Sequence, residues 1–282
     1  MKEAVISIDV EDWYHLDYFD AKKCITSYSM LDGLDKFIEV IEKYNITSTF
    51  FVLGEIAEKN IQFYRDLVAR GYDIGSHGWD HRRPMSMTIK DFQLDLDKSL
   101  KVLREINSHQ DFGYRAPCFS IDRERLNIVK ENFGYSSSKI NFSTHPLYGS
   151  LDMKGFKEFE KNIFVKDQFL EFEVTTSEIF GKNFPISGGG YLRIIPHIFI
   201  KNMIKRYITR NNLFVFYIHP FELSSVAAPE LPINTKNLTK FRFKYGRSSM
   251  VYKLEKLIDL LGKHNYKFTT FRDIKKIVIS NQ

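Results

Sequence analysis

Two histidines four positions apart, His77 and His81, have the spacing at which two imidazoles reach one metal ion. Read alone, such a pair is also an ordinary feature of a polar loop. A second cluster, Asp9-Val10-Glu11-Asp12, puts three acids into four positions. These acids repel one another unless a cation neutralises them or the turn is solvated. Each cluster supplies what the other lacks. Two neutral imidazoles and one carboxylate, with positions left for water, make a catalytic site for zinc or a similar metal. Arg115 closes the short run Phe112–Tyr114 and precedes Ala116-Pro117. A guanidinium there would pair with a carboxylate and fix its orientation. His219 ends the apolar run Leu213–Ile218 and precedes Pro220. It is either a satisfied core histidine or a group placed to act as a general acid.

The elements that position these groups alternate along the chain. Ala4–Ile8, Thr47–Leu53, Tyr72–Ile74, Phe112–Tyr114, Phe169–Val174, Leu213–Ile218 and Tyr266–Thr270 read as strands. Helices are expected around Leu34–Tyr44, over Ile61–Arg70, from the cap Thr88 to Ile106, and from the cap Asp122 to Phe133. Two more are expected over Ile194–Ile208, with Pro196 in the first turn, and from Ser249 through Leu261. Gly188-Gly189-Gly190 marks backbone that turns tightly or approaches something closely. Residues 141–168 are the least regular and read as a loop or insertion. Strand–helix alternation without a break over 282 residues predicts an α/β fold, a single barrel domain of about seven parallel strands. In such a barrel the four polar clusters, each following a strand, converge on one rim.

Composition bounds the rest. With 43% apolar and 27% charged residues the chain is neither disordered nor of low complexity. Cys24 and Cys118 are too few for a disulfide framework. The net charge of +6 is spread along the chain and reads as a solvated basic surface, with no nucleic-acid partner expected. No stretch approaches 18 apolar residues, so no transmembrane segment is expected. The N-terminal residues turn acidic too early for a signal peptide. The expectation is a cytoplasmic protein, associated with a membrane only through its substrate.

The motifs resemble those of the polysaccharide deacetylase family, the carbohydrate esterases with the NodB homology domain. SHGWDH (76–81) matches that family's His-x3-His metal motif, YRAP (114–117) its Arg-x-Pro motif, and FYIHP (216–220) the late motif ending in the catalytic histidine. DVEDWYH, TFFVLG, SHGWDHRR, GYRAPCFSI, SGGGYLR, FYIHPFEL and FRFKYGR together resemble a subfamily linked to exopolysaccharide biosynthesis. The resemblance spans nearly the whole chain. It implies a distorted (β/α) barrel, a divalent metal that is usually zinc, and hydrolysis of N-acetyl groups on amino sugars. The implied substrate is an N-acetylated polysaccharide or its lipid-linked oligosaccharide precursor.

Carried over residue by residue, the resemblance makes His77 and His81 metal ligands, Arg115 the group that orients the base, and His219 the acid. The first motif departs from the family's two adjacent aspartates. One alignment makes Asp9 the base and Glu11 the ligand; another makes Glu11 the base and Asp12 the ligand. In an extended strand Asp9 and Glu11 share a face and Asp12 points away. Asp9 is favoured as the base, with the carboxylate ligand left between Glu11 and Asp12. Trp13, Tyr14, Trp79 and Tyr191 could stack on sugar rings or simply pack. Pro117 and Gly189, within the matched motifs, are further substrate-side candidates. A second departure is Ser136, where related sequences carry an aspartate that supports the arginine or the catalytic histidine. The alternatives are a hydrolase of small non-sugar C–N bonds, resembling the allantoinase-like relatives, a sugar-binding barrel with little turnover, and an iron(II) oxygenase. The β/α alternation speaks against the last, whose usual core is an all-β jelly roll.

Overall fold

The computed structural model describes residues 2–108, 111–142, 145, 147–149, 151–179 and 181–281. Its strands, in chain order, are β1 (Glu3–Val10), β2 (Thr49–Val52), β3 (Asp73–Ser76), β4 (Gly113–Tyr114), β5 (Tyr135–Ile140), β6 (Lys157–Glu160), β7 (Ile163–Lys166), β8 (Phe169–Val174), β9 (Thr176–Ile179), β10 (Lys182–Pro185), β11 (Leu213–Ile218) and β12 (Lys267–Phe268). Seven of them run parallel in the order β11-β1-β2-β3-β4-β5-β8; the alternation of elements predicts six of these, while β5, a Ser-rich strand, is not among the strands expected from the sequence. β12 adds a two-residue parallel pairing at the start of β1.

Period-2 alternation divides each strand between two cores. In β1 the even positions Ala4, Ile6, Ile8 and Val10 join the apolar shell beneath the helices. The odd positions face inward: Val5 packs with Phe51, Tyr135, Phe172 and Val215, and Ser7 and Asp9 follow it towards the C-terminal rim. The far end of the interior is plugged by Phe271, Ile274 and Val278 from the C-terminal helix Phe271–Ser280.

The barrel is distorted at one seam. β7 pairs antiparallel with Phe169–Phe172 of β8, occupying part of the edge on which β11 would complete the closure. β8 and β11 therefore share no regular ladder. Thr175 bridges them: its N–H donates to Val215 O at 3.3 Å, and its Oγ1 accepts from Val215 N at 2.9 Å. Ser187 then reaches back, its hydroxyl donating to Thr175 O at 2.6 Å while its own carbonyl accepts from Tyr217 N at 3.0 Å.

Three expectations are corrected. The segment 141–168 is not wholly irregular: it contains the β6–β7 hairpin, whose turn carries Asn162 at a φ of 72°. Four-residue strands with a largely exposed partner give too little periodicity to be read. Pro196 does not lie in a helical first turn. It caps His197–Ile208 and separates that helix from Gly189–Ile194, because its ring cannot continue the earlier helix. The final strand shrinks to Lys267–Phe268, because Thr270 caps another helix by accepting from Asp273 N at 3.2 Å.

One buried acid shapes the central sheet. β5 carries a bulge between Ser136 and Lys139, opposite Glu171 of β8. Glu171 Oε1 accepts from Ser138 N at 2.6 Å and Lys139 N at 2.8 Å. Burial raises its pKa to about 7. A carboxyl with a raised folded-state pKa stabilises below its unfolded value, and that contribution is lost as pH climbs through 7. Glu171→Gln keeps the acceptor and removes the titration. Between pH 5 and 8, wild-type unfolding free energy should therefore decline relative to the variant by on the order of 2 kcal/mol. Denaturant titrations with the same pH dependence for both proteins would refute this role.

Candidate metal and acid–base site

At the C-terminal rim of the parallel strands, Arg115 is fully buried and uses its side-chain donors on four acceptors. Nη1 donates to Asp9 Oδ1 at 2.7 Å and to Ser7 Oγ at 2.8 Å. Nη2 donates to Ser137 Oγ at 2.9 Å and Nε to Ser137 O at 3.1 Å. The β5 bulge turns both Ser137 acceptors towards it. The guanidinium lies 4.2 Å from the centre of the Phe51 ring. Asp9, also buried, is thus held on β1 by a cation from β4.

The loop after β3 carries the histidines and is tied down at several backbone groups. His77 N donates to Val52 O at 2.9 Å, Trp79 N to Asp95 Oδ2 at 3.0 Å, and Gly54 N to Gly78 O at 2.9 Å. Gly78 turns at a φ of 81°, and His81 at 66°. For histidine that conformation is sparsely populated and costs roughly 1 kcal/mol or more, a strain typical of functional sites. His77 Nδ1 lies 2.9 Å from Arg115 O. A carbonyl only accepts, so Nδ1 carries the proton and Nε2 keeps its lone pair. Burial lowers the His77 pKa to about 4, which keeps the ring neutral.

Nitrogens of His77 and His81 and a carboxylate oxygen of Glu11 all lie within 4.8 Å of one another. Glu11 Oε2 is buried and pairs with His81 Nε2 at 2.6 Å, with no further donor to it among the described residues. Burial works against the Glu11 charge, but the His81, His219 and His77 imidazoles hold its pKa down to about 2. An ionised buried oxygen whose partner is an imidazole, with a second imidazole beside it, suits a divalent cation. Asp12 is used otherwise. Its Oδ1 accepts from Trp13 N at 2.8 Å and Met30 N at 2.9 Å, capping the turn Trp13–His15.

His219 reaches the same rim from β11. Its Nε2 is 3.5 Å from Glu11 Oε1 and its Nδ1 is 3.1 Å from Glu222 Oε2. Burial opposes its charge, but the Glu222 hydrogen bond and the Glu11 carboxylate outweigh it and raise the pKa to about 9. Glu222 is buried and pairs in turn with Arg193 Nε at 3.3 Å. Neither Glu222 nor Arg193 is among the residues singled out from the sequence. The signal was present: His219-Pro-Phe-Glu222 is a capping box with proline at the first helical position. The triple glycine serves this pair. A Cβ on Gly189 would meet Glu222 Oε2 at 2.0 Å, so Gly189 faces that carboxylate and not an open cleft.

The aromatic candidates separate. Trp13 is fully buried among Phe19, Phe243 and Tyr14, with its Nε1 donating to Tyr28 O at 2.7 Å. Trp79 is buried against Gly54 and under Lys98, and Pro117 is buried beside Gly78. These three are packing residues here, because the loop backbone turns their rings into the protein. Tyr191 stays half-buried beside Phe142 and Phe184, on an aromatic wall that also holds Tyr148 and Tyr217. At Ser136 the departure is offset from elsewhere: Ser137, Ser7 and Asp9 satisfy the arginine, and Glu222 supports His219.

A family model described as polysaccharide deacetylase matches residues 19–136, and one described as a domain of unknown function (DUF3473) matches 137–276. The chain is 28% identical over 119 residues to a peptidoglycan deacetylase of Helicobacter pylori, covering 41% of this chain and 40% of that one. The chain thus spans about two fifths of the length of that relative. Among solved structures, the peptidoglycan deacetylase PdaC of Bacillus subtilis is similar over 99% of this chain and 92% of its own, at a TM-score of 0.52 and 12% identity. A CE4-family pseudoenzyme from Bacillus anthracis is similar over 97% of this chain and 65% of its own, at 0.53 and 12%. Identities this low speak for the fold alone.

The geometry makes a discriminating prediction about the two open carboxylates. His77→Ala and Glu11→Gln should each weaken Zn2+ binding by more than about 100-fold, since even groups behind the ligands are worth 10–100-fold. Asp12→Asn should leave it unchanged. Competition against a chromophoric chelator measures all three, and a large loss with Asp12→Asn would reverse the assignment.

Proposed function

We propose that the chain, whose residues 19–136 match the polysaccharide deacetylase family, is a metal-dependent hydrolase that removes N-acetyl groups from amino sugars of a polysaccharide or its lipid-linked precursor. The observation that carries this reading is the Glu11–His77–His81 donor set, with a buried, ionised carboxylate set against two imidazoles. Two imidazoles and a carboxylate favour zinc among the divalent cations. A cation held there would lower the pKa of a water and polarise the acetamide carbonyl.

The chain's own residues supply the proton chemistry. Asp9 accepts the proton of the attacking water, and Arg115 holds it in place at the rim. His219, protonated at neutral pH, donates to the departing amine nitrogen, since an amide anion is too poor a leaving group to depart unaided. Glu222 positions the ring from behind, and Arg193 fixes Glu222. Sugar contacts fall to Tyr191 and the aromatic wall, not to the buried tryptophans.

Acetate release from a short N-acetylated glucosamine oligomer, before and after chelation and on reloading with Zn2+, tests the reading. Activity that survives complete metal removal would overturn it. The proton roles are tested separately. His219→Ala should slow the amide substrate about 10²–10⁴-fold. It should slow an activated aryl acetate far less, because phenolate leaves without protonation. Glu222→Gln should reproduce the same selectivity at smaller size. Equal losses on both substrates would assign His219 to binding or structure.

A further inference from the structure

The helix Asn237–Lys244 has two apolar faces, and the fold uses only one. Phe243 points inward and packs against Trp13, Phe19 and Phe221. On the other side Leu238, Phe241 and Tyr245 recur at i, i+3 and i+7 and are 59%, 50% and 49% exposed, and Ile233 just upstream is 95% exposed. Single exposed apolar side chains are ordinary; an aligned stripe of them is not. The charges around the stripe are of one sign. Lys236, Lys240, Arg242 and Lys244 interleave with it, and no acid occurs between Leu231 and Leu254. Among the described residues none of these four cations is in an ion pair with an acid elsewhere.

We propose that this segment seats the protein on an anionic lipid surface. Apolar side chains flanked by unpaired lysines and arginines partition to the headgroup–acyl boundary, where the cations meet lipid phosphates. A glycan platform fits less well, because Ile233 and Leu238 offer a sugar neither a ring face nor a polar group. The face is linked to the site through Arg193. Its Nη1 donates to Phe243 O at 3.4 Å and to Tyr245 O, while its Nε holds Glu222 behind His219. A membrane-seated helix would thus bring the rim close to the lipid surface. The proposal stands whether or not the metal assignment holds.

The test is sedimentation of the full chain with vesicles of phosphatidylcholine alone or mixed with phosphatidylglycerol. The protein should pellet with the anionic vesicles only, and release as salt rises. Lys240→Glu with Lys244→Glu should lower partitioning roughly 20-fold or more. Leu238→Ser with Phe241→Ser should lower it independently, so misfolding of one pair does not spoil the test. Both should leave turnover of a soluble N-acetylated oligomer unchanged. Failure of the wild-type protein to pellet, or pelleting equal to wild type in both variants, would overturn the proposal. Lost turnover of the soluble oligomer with lipid binding retained would make the stripe a glycan platform and would also overturn it.

Discussion

Arg115 holds the rim together from both ends of its residue. Its guanidinium sits at the centre of the barrel on Asp9, Ser7 and Ser137. Its carbonyl accepts a hydrogen bond from His77 Nδ1. One position just after a two-residue strand therefore fixes both the carboxylate proposed as base and the tautomer of an imidazole proposed as a metal ligand. A buried charge is tolerated only when paired and hydrogen-bonded, and removing one partner of such a pair typically costs about 3–5 kcal/mol. The Ser137 acceptors depend on the β5 bulge, and the bulge on Glu171.

The rest of the rim follows from charge balance. Glu11 is buried and ionised, between His81 on one side and His219 on the other. Glu222 and Arg193 continue the alternation of sign behind His219. His77 is neutral and offers a lone pair beside the charged Glu11; burial opposes a charge on His81 but Glu11 raises its pKa, so a cation held there would take the place of the His81 proton. The strained backbone of His81 points the same way, because such a conformation persists only where the surroundings over-determine it.

Much of this was legible in the sequence because each cluster follows a strand, and parallel barrel strands deliver their C-terminal ends to one rim. The spacing of His77 and His81, the strand parity of Asp9 and Glu11, and the Arg115 motif all survive into the geometry. What was not legible depends on contacts far apart in the chain. Asp12 looked equivalent to Glu11 until the backbone turned and made it a helix cap. Trp13 and Trp79 looked like platforms, but burial depends on the loops that cover them. Glu222 was hidden inside a matched motif, and its partner Arg193 lies across the triple-glycine turn that makes room for the carboxylate. The β6–β7 hairpin and the terminal helix were missed because four-residue strands and a single Thr-x-x-Asp cap carry little periodic signal.

The same fold is shared with a pseudoenzyme, so the account rests on the side chains at the rim and not on the barrel. Its central claim is that Glu11, His77 and His81 bind the metal while Asp9 stays free as the base. Anomalous diffraction at the zinc edge from a Zn2+-soaked crystal addresses that claim most directly. The account predicts one strong peak within bonding distance of Glu11, His77 and His81, with Asp9 still paired to Arg115. A peak bonded to Asp9 or Asp12, or one displaced to Asp17 and Cys118, would contradict it.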